Sequence, residues 1–374
     1  MKYFLIAGED SGDLHASNLM KQLKKQDPEA EFRFMGGDLM QEVADGFVMH
    51  YRETSYMLTD IFLHLRKILR NIRKMKTLLQ DFNPDLFIPV DYAGFNFRIA
   101  RFARSRNIKV FWYISPKVWA WQEWRVKKIR KYANQLFSIL PFEVDYFKRF
   151  GINAEYFGNP LVDEIARFRS KFEGSEGWKK KHALDQKPLI ALLAGSRKRE
   201  IETTLPAMVR LSVEHPEYQF VVAGAPSIET SMYDEYLKGT PVKIVYGETY
   251  PLLESSFAGL ITSGTATLEA GLFKLPQAVL YATSALGYRI VKPLIKVNFI
   301  SLVNLIYGKQ LVLEIIQKDL YGRSAMELSK ILKDKEYREG MFKGYDEIGA
   351  SLGTPGVSER IGKRMLELLK EERE

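Results

Sequence analysis

The sequence predicts an α/β protein of two Rossmann-like domains, each a parallel sheet flanked by helices, with a nucleotide cleft between them. Three observations predict it. Short apolar runs alternate with helical patterns along both halves of the chain. The 374 residues exceed one ordinary core and suit two domains of roughly 150–200 residues each. The polar residues that stand out follow the ends of the apolar runs, where open parallel sheets bind ligands.

The elements follow in order. Lys2–Ala7 is a buried strand ending at a glycine turn, and a helix from about Leu14 to Gln26 follows. Phe32–Met35 is a strand stopped by Gly36-Gly37. Leu86–Val90 is a strand with Asp91 at its carboxyl end. Val110–Ile114 is another, before Ser115-Pro116, then a helix around Glu123–Tyr132 and a strand at Leu136–Leu140. The second half repeats the pattern with strands at Leu189–Leu193, Phe220–Ala223, Val242–Val245, Gly259–Thr262 and Gln277–Tyr281. Gly158-Asn159-Pro160 and the Lys-rich stretch 170–181 mark the junction. The expected domains are therefore 1–168, 169–345 and a basic amphipathic tail helix within 346–374 that can return to the first domain.

A hydrophobic content of 46% with 27% charge is ordinary for a packed chain and argues against disorder, except over Glu371–Glu374. The absence of cysteine excludes disulfides, thiolate catalysis and sulfur-based metal sites. The apolar start is too short for a signal peptide. No apolar run nears the roughly 18 residues of a spanning helix. A cytoplasmic protein that can lie on a membrane is expected. The net charge of +9 calls for an anionic partner.

Ser263-Gly264-Thr265-Ala266-Thr267-Leu268-Glu269 follows a strand and opens a helix. Such a start binds phosphate through backbone N–H groups and the helix dipole, and Glu269 is placed to accept from ribose hydroxyls. A capped helix with a salt-bridging glutamate is the plainer alternative. Gly195-Ser196-Arg197 is a second strand-to-loop turn, with Arg197 offering a fork for a diphosphate. A solvated basic loop is its alternative. Gly8-Glu9-Asp10-Ser11-Gly12-Asp13 lacks dinucleotide spacing and is too acidic for phosphate. Glu9, Ser11 and Asp13 either meet sugar hydroxyls or form an acidic helix start. Asp91 is placed for general-base work, or caps the turn after its strand.

Between Ile61 and Leu79, apolar residues recur at helical spacing among basic ones, with no acid before Asp81. Arg66, Lys67, Ile68, Arg70, Ile72 and Arg73 are the candidate membrane-facing residues. A helix packing its apolar stripe on the core is the alternative. Phe111–Trp124 holds four of the five tryptophans, so Ser115 and Trp119 either line a sugar or acyl site or belong to a packed loop. The five histidines are scattered and no Asp-x-Asp occurs, so neither metal nor cofactor is expected. No nucleic-acid motif accompanies the basic residues.

Several segments together resemble the lipid-A-disaccharide synthase family. They are Ala7-Gly8-Glu9-x-Ser11-Gly12-Asp13, Pro84-Asp85, Phe95-Asn96, Tyr113-Ile114-Ser115-Pro116-x-Val118-Trp119-Ala120-Trp121 and Arg125-Val126-x-Lys128-Ile129. Leu140-Pro141-Phe142-Glu143, Gly195-Ser196-Arg197, Ser263-Gly264-Thr265-Ala266-x-Leu268-Glu269, Asn304-Leu305 and Glu314-x-x-Gln317 complete the series. The Ser-Pro-x-Val-Trp-Ala-Trp run is highly specific. The resemblance implies the GT-B glycosyltransferase fold and an inverting transfer that joins UDP-2,3-diacylglucosamine to 2,3-diacylglucosamine 1-phosphate. The products would be a β-1,6 disaccharide 1-phosphate and UDP, for lipid A. It implies Asp91 as base, Arg197 on the diphosphate, and Asn96, Asn304, Glu314 and Gln317 toward the sugars. It implies a Gram-negative source, a peripheral place on the cytoplasmic face of the inner membrane, and allows a homodimer. The chain departs from the family at Gly94, Ala194, Asn159 and Ala282, where Asp, Pro, His and Arg are usual. The rival readings are a UDP-sugar 2-epimerase of similar fold and a non-catalytic protein binding anionic lipid.

Overall fold

The computed structural model describes residues 1–53, 61–282 and 297–371, without the side chains of 61–64. The chain divides into two compact units, Met1–Asp163 with Gly353–Glu374, and Glu164–Leu352.

The first unit holds a seven-stranded sheet among the described residues. Its strands are β1 (Lys2–Ala7), β2 (Glu31–Gly36), β3 (Phe47–His50), β4 (Leu86–Val90), β5 (Lys109–Tyr113), β6 (Gln135–Ser138) and β7 (Ala154–Tyr156). Their order is β3-β2-β1-β4-β5-β6-β7, and every pairing is parallel. Register decides what meets at the carboxyl edge. Ala7 pairs with Val90 and Val90 with Tyr113, so Gly8-Glu9, Asp91 and Ile114-Ser115 leave the sheet side by side. One core cluster gathers Phe4, Ile6, Phe87, Trp112 and Met75, another Tyr3, Leu5, Ile88 and Phe111. Alternate residues of one strand thus feed opposite faces.

The tail helix Val357–Glu371 lies against the helix Asp10–Gln26, and Ile361, Met365 and Leu369 share a cluster with Leu19 and Leu23. The Asp163 carboxylate holds its start, accepting from the N–H groups of Gly356 (2.6 Å), Val357 (3.0 Å) and Ser358 (2.9 Å). These donors have no partner within the helix, so a remote carboxylate serves as the cap.

The second unit holds six described strands. They are β8 (Leu189–Leu193), β9 (Gln219–Gly224), β10 (Lys243–Tyr246), β11 (Ser256–Thr262), β12 (Gln277–Tyr281) and β13 (Glu314–Ile316), in the order β10-β9-β8-β11-β12-β13, again all parallel. Ile261 pairs with Leu193 and Thr262 with Leu280. The Gly195 loop, Ser263-Gly264 and Tyr281 therefore sit along one carboxyl edge.

Two Rossmann-like units with parallel sheets are what the alternating pattern predicts. The pattern missed β3, β7 and β13, which are short, half-exposed edge strands. It also carried two strands too far. β5 stops at Tyr113 because Ile114 turns to φ 61°, and β6 stops at Ser138. The first helix begins at Asp10 rather than near Leu14.

Candidate active site

In the first unit the strand ends converge on Asp91. The backbone there is strained: Asp91 (φ 41°), Tyr92 (φ 45°) and Ile114 (φ 61°) are all left-handed. For Ile114 this is a β-branched residue in a region that costs roughly 1–2 kcal/mol. Strain of this kind is kept where the surroundings over-determine it, typically at functional sites. The Asp91 N–H donates to the carbonyls of Tyr113 and Ile114, each at 3.2 Å. Asn96 Nδ2 donates to the Asp91 carbonyl at 2.9 Å and reaches those of Ile6 and Val90. Gly8 permits the close approach of Tyr92, whose ring a Cβ at position 8 would overlap.

Burial pushes the Asp91 carboxyl up to about 6, the Lys117 ammonium opposing this and the Glu9 carboxylate adding to it. Asp91 is half-buried, while Glu9 and Lys117 are exposed. A carboxylate poised near 6 is still mostly ionised at neutral pH, and is a stronger base than one near 4.

The 115–119 loop is fastened from below. Ser115 Oγ donates to Glu143 Oε1 at 2.5 Å and Trp119 Nε1 to the same oxygen at 2.9 Å, all three residues being buried. Burial pushes the Glu143 carboxyl up to about 7 against these two hydrogen bonds.

Several expected sugar contacts have other work. Asp13 is buried, and its carboxylate accepts from the N–H groups of Gly37 (2.7 Å), Leu39 (3.1 Å) and Met40 (3.2 Å), capping the helix Asp38–Gln41. Asn96 is fully buried and holds the Asp91 turn. Ser115 and Trp119 spend their donors on Glu143. Glu9 and Ser11 stay exposed at the start of the first helix.

In the second unit, Gly195 (φ 107°) makes a turn that only a residue without Cβ fits, since a Cβ would meet the Glu200 carboxylate. Glu200 Oε2 accepts from the N–H groups of Ser196 (3.1 Å) and Arg197 (3.3 Å), and its Oε1 lies 3.4 Å from Arg197 Nη1. These loop amides therefore already serve a carboxylate, so Gly195 and Ser196 shape the loop and the anion-binding capacity rests on the Arg197 side chain, 58% exposed. Ser263 Oγ donates to the Ile300 carbonyl at 3.0 Å, and the helix Thr265–Leu272 opens at the exposed Gly264. Glu269 accepts from the Tyr250 hydroxyl at 3.0 Å, and burial raises the carboxyl above its ordinary value.

Asn304 and Glu314 likewise point into the protein. Asn304 is fully buried; its Nδ2 donates to Val312 O and Glu314 Oε1, each at 2.9 Å, and its Oδ1 accepts from the N–H groups of Leu311 and Val312. That exhausts an amide's capacity. Glu314 also accepts from Ile300 N, Ser301 N and Ser301 Oγ. The pair fixes the 300–301 segment on which Ser263 rests. Gln317 closes β13 with φ 62°, its N–H donating to the Tyr281 carbonyl.

The helix Ile61–Phe82 is divided along its length. Ile72 is buried with Met75 and Leu79, so it belongs to the core and not to a membrane-facing side. Ile68 is half-buried, while Arg66, Lys67, Arg70 and Arg73 are exposed beside Leu65 (45%) and Leu69 (39%). The side chains of residues 61–64, part of the same predicted stretch, lie outside the described residues. Among the described residues no helix is long and apolar enough to cross a membrane, and no cluster of three or more His, Asp or Glu can hold a metal ion.

Glu143 and Lys117 were not singled out from sequence. Glu143 lies in one of the matching runs, but nothing local marks it as the partner of Ser115, 28 positions away. Glu200 carries a readable sign, a glutamate three residues after the helix cap.

The lipid-A-disaccharide synthetase family model matches residues 3–343. Lipid-A-disaccharide synthase of Myxococcus xanthus is 33% identical over 383 residues, covering 98% of this chain and 97% of the relative. That of Syntrophus aciditrophicus is 35% identical over 382 residues, at 98% and 97% coverage. Among solved structures, UDP-GlcNAc 2-epimerase of Neisseria meningitidis superposes with TM-score 0.71 at 17% identity, covering 98% of this chain and all of the other. A glycosyltransferase of Rickettsia africae reaches TM-score 0.57 at 11%, covering 99% and 98%. Likenesses this remote in sequence speak to the fold alone, and the epimerase reading gains no more than that from them.

Proposed function

The chain belongs to the lipid-A-disaccharide synthase family, UDP-sugar glycosyltransferases of lipid A synthesis, and we propose that it joins UDP-2,3-diacylglucosamine to 2,3-diacylglucosamine 1-phosphate in one inverting displacement. The observation that carries the residue assignment is the Asp91 turn: a carboxylate raised by burial and held at a strained strand end, whose N–H donates to the Tyr113 and Ile114 carbonyls.

The acceptor's 6-hydroxyl oxygen forms the new bond to the donor C1 as the bond from C1 to the diphosphate oxygen breaks. Asp91 takes the hydroxyl proton, and UDP departs with the electron pair. The first unit serves the acceptor and the second the UDP-sugar. Arg197 and the helix start at Ser263-Gly264-Thr265 offset the charge that grows on the diphosphate. Glu269 accepts from the ribose hydroxyls. Tyr250 donates to only one oxygen of that carboxylate, which leaves it acceptor capacity.

Both substrates carry acyl chains. The exposed leucines and basic residues over 65–73 are suited to an anionic membrane surface, each cation adding about 1 kcal/mol near the lipid. The proposed location is peripheral, on the cytoplasmic face of the inner membrane. The test is to incubate the protein with both substrates in detergent without divalent metal and identify the product. A β-1,6 disaccharide 1-phosphate supports the reading; a 2-epimerised UDP-sugar, or no product from folded protein, overturns it.

A further inference from the structure

We propose that Glu143 is a positioning residue for this reaction: by clamping Ser115 and Trp119, it fixes the loop that carries Lys117 and that begins at Ile114, whose carbonyl accepts from the Asp91 N–H. The inference rests on the reading of Asp91 as the base.

Glu143 lies in the first turn of the helix Phe142–Lys148 and is 1% exposed. A carboxylate so deep carries a desolvation cost of several kcal/mol, which packing alone does not require. Its one oxygen Oε1 receives both Ser115 Oγ and Trp119 Nε1, donors two residues to either side of Lys117. Between them the backbone is already tight, with Val118 N–H donating to the Pro116 carbonyl at 2.6 Å. The loop is thus pinned on both flanks, and only Lys117, at its crest, faces solvent.

Among the described residues, the charge of Lys117 lowers the proton affinity of Asp91. It acts on the buried His15 in the same sense. A lysine stem is long and flexible, so the mean place of its ammonium depends on where its backbone is anchored. Removing the clamp lets Lys117 drift, and Asp91 then holds its proton to higher pH. The charged or titratable groups that act on the pieces are Lys117 and Glu9 on Asp91, Asp163 and Lys117 on His15, and Glu143 on Tyr156. Glutamine at 143 preserves an acceptor at Oε1 for both donors, so it preserves the clamp without the charge.

The experiment is the acid limb of the pH profile of acceptor-dependent UDP release, for wild type, Lys117→Met, Glu143→Ala, Glu143→Gln and the Lys117→Met/Glu143→Ala double variant. A cation close beside a carboxylate lowers its pKa by roughly 1–3 units, and an exposed, solvent-screened lysine stands at the low end, about 1 unit. Lys117→Met and Glu143→Ala are both expected to move the limb upward by that amount. The double variant should move it no further than Lys117→Met alone, and Glu143→Gln should restore the wild-type limb. If Glu143→Ala does not fold, Ser115→Ala/Trp119→Phe removes the same two hydrogen bonds from the loop side and should shift the limb likewise. A lowered rate with an unmoved limb, or a double variant whose shift is the sum of the two, overturns the inference. Asp91→Asn run alongside separates the two failures. If it keeps wild-type turnover, the base reading has failed; if it abolishes turnover while Glu143→Ala leaves the limb in place, only the clamp has failed.

Discussion

Replacing Asp163 by alanine tests how the tail helix is held. Its carboxylate receives three backbone N–H groups at the start of Val357–Glu371, over 2.6–3.0 Å. Loss of an ordinary N-cap costs about 1 kcal/mol. Hydrogen bonds to an ionised acceptor are roughly twice as strong as neutral ones, and a carboxylate at a helix N-terminus gains a further 0.3–1 kcal/mol or so from the dipole. Asp163→Ala should therefore destabilise the first unit by about 2–4 kcal/mol. Asp163→Asn keeps the oxygen that serves Gly356 and Val357 and turns an NH₂ toward Ser358, so about half the loss is expected. Urea unfolding gives the global value. Hydrogen exchange of the amides from Gly356 to Ile361 gives the local one, because Ile361, Met365 and Leu369 still anchor the later turns. An Asp163→Ala protein within about 0.5 kcal/mol of wild type, with unchanged exchange at 356–358, would refute the capping argument.

Three further outcomes are expected. Arg197→Ala should lower kcat by roughly 10²–10³ with little change in stability, since its side chain is largely exposed and its pair with Glu200 is a surface one; a loss under tenfold would remove it from the leaving-group role. Glu143 has a proton affinity raised by folding, to about 7, so its contribution to stability is greatest at low pH and is lost as pH rises from about 4.5 through 7. Glu143→Gln should therefore gain on wild type between pH 5 and pH 8, by up to about 3 kcal/mol; a pH-independent difference would contradict the raised value. His15 runs the other way as pH falls, but is common to both proteins and drops out of the difference. Leu65→Glu/Leu69→Glu should weaken sedimentation with anionic vesicles without altering turnover of detergent-dispersed substrates, and equal binding by both proteins would discard that surface.

The strands that form the centre of each sheet were readable because burial on both faces demands near-continuous apolar runs, as in Leu86–Val90 and Leu189–Leu193. Three of the four edges were not: Ala154–Tyr156 and Glu314–Ile316, for example, are three residues long and half-exposed. The same contrast holds at the site. Asp91 stands directly after its strand and Arg197 in the turn after another, where position alone suggests chemistry. Asp13, Asn304 and Glu314 look equally polar in sequence, yet each is engaged by backbone amides or by its neighbours, a fact set by contacts 7 to 27 residues away. Glu143 is the converse case, a residue with no local signal whose partners arrive from another strand end. The helix 61–82 combined both readings of its pattern, Ile72 and Met75 going to the core and Leu65 and Leu69 to solvent.

The central claim is that this chain transfers a sugar from UDP to a lipid acceptor with Asp91 as base, and acceptor-dependent UDP release by wild type and Asp91→Asn tests it most directly. The account predicts release from UDP-2,3-diacylglucosamine only when 2,3-diacylglucosamine 1-phosphate is present, and its loss by at least about 10² in the variant. Because burial raises the Asp91 carboxyl, the variant should be no less stable than wild type, so the loss cannot be laid to unfolding. Release that survives the change would contradict the assignment of the base, and release that ignores the acceptor would contradict the transfer itself.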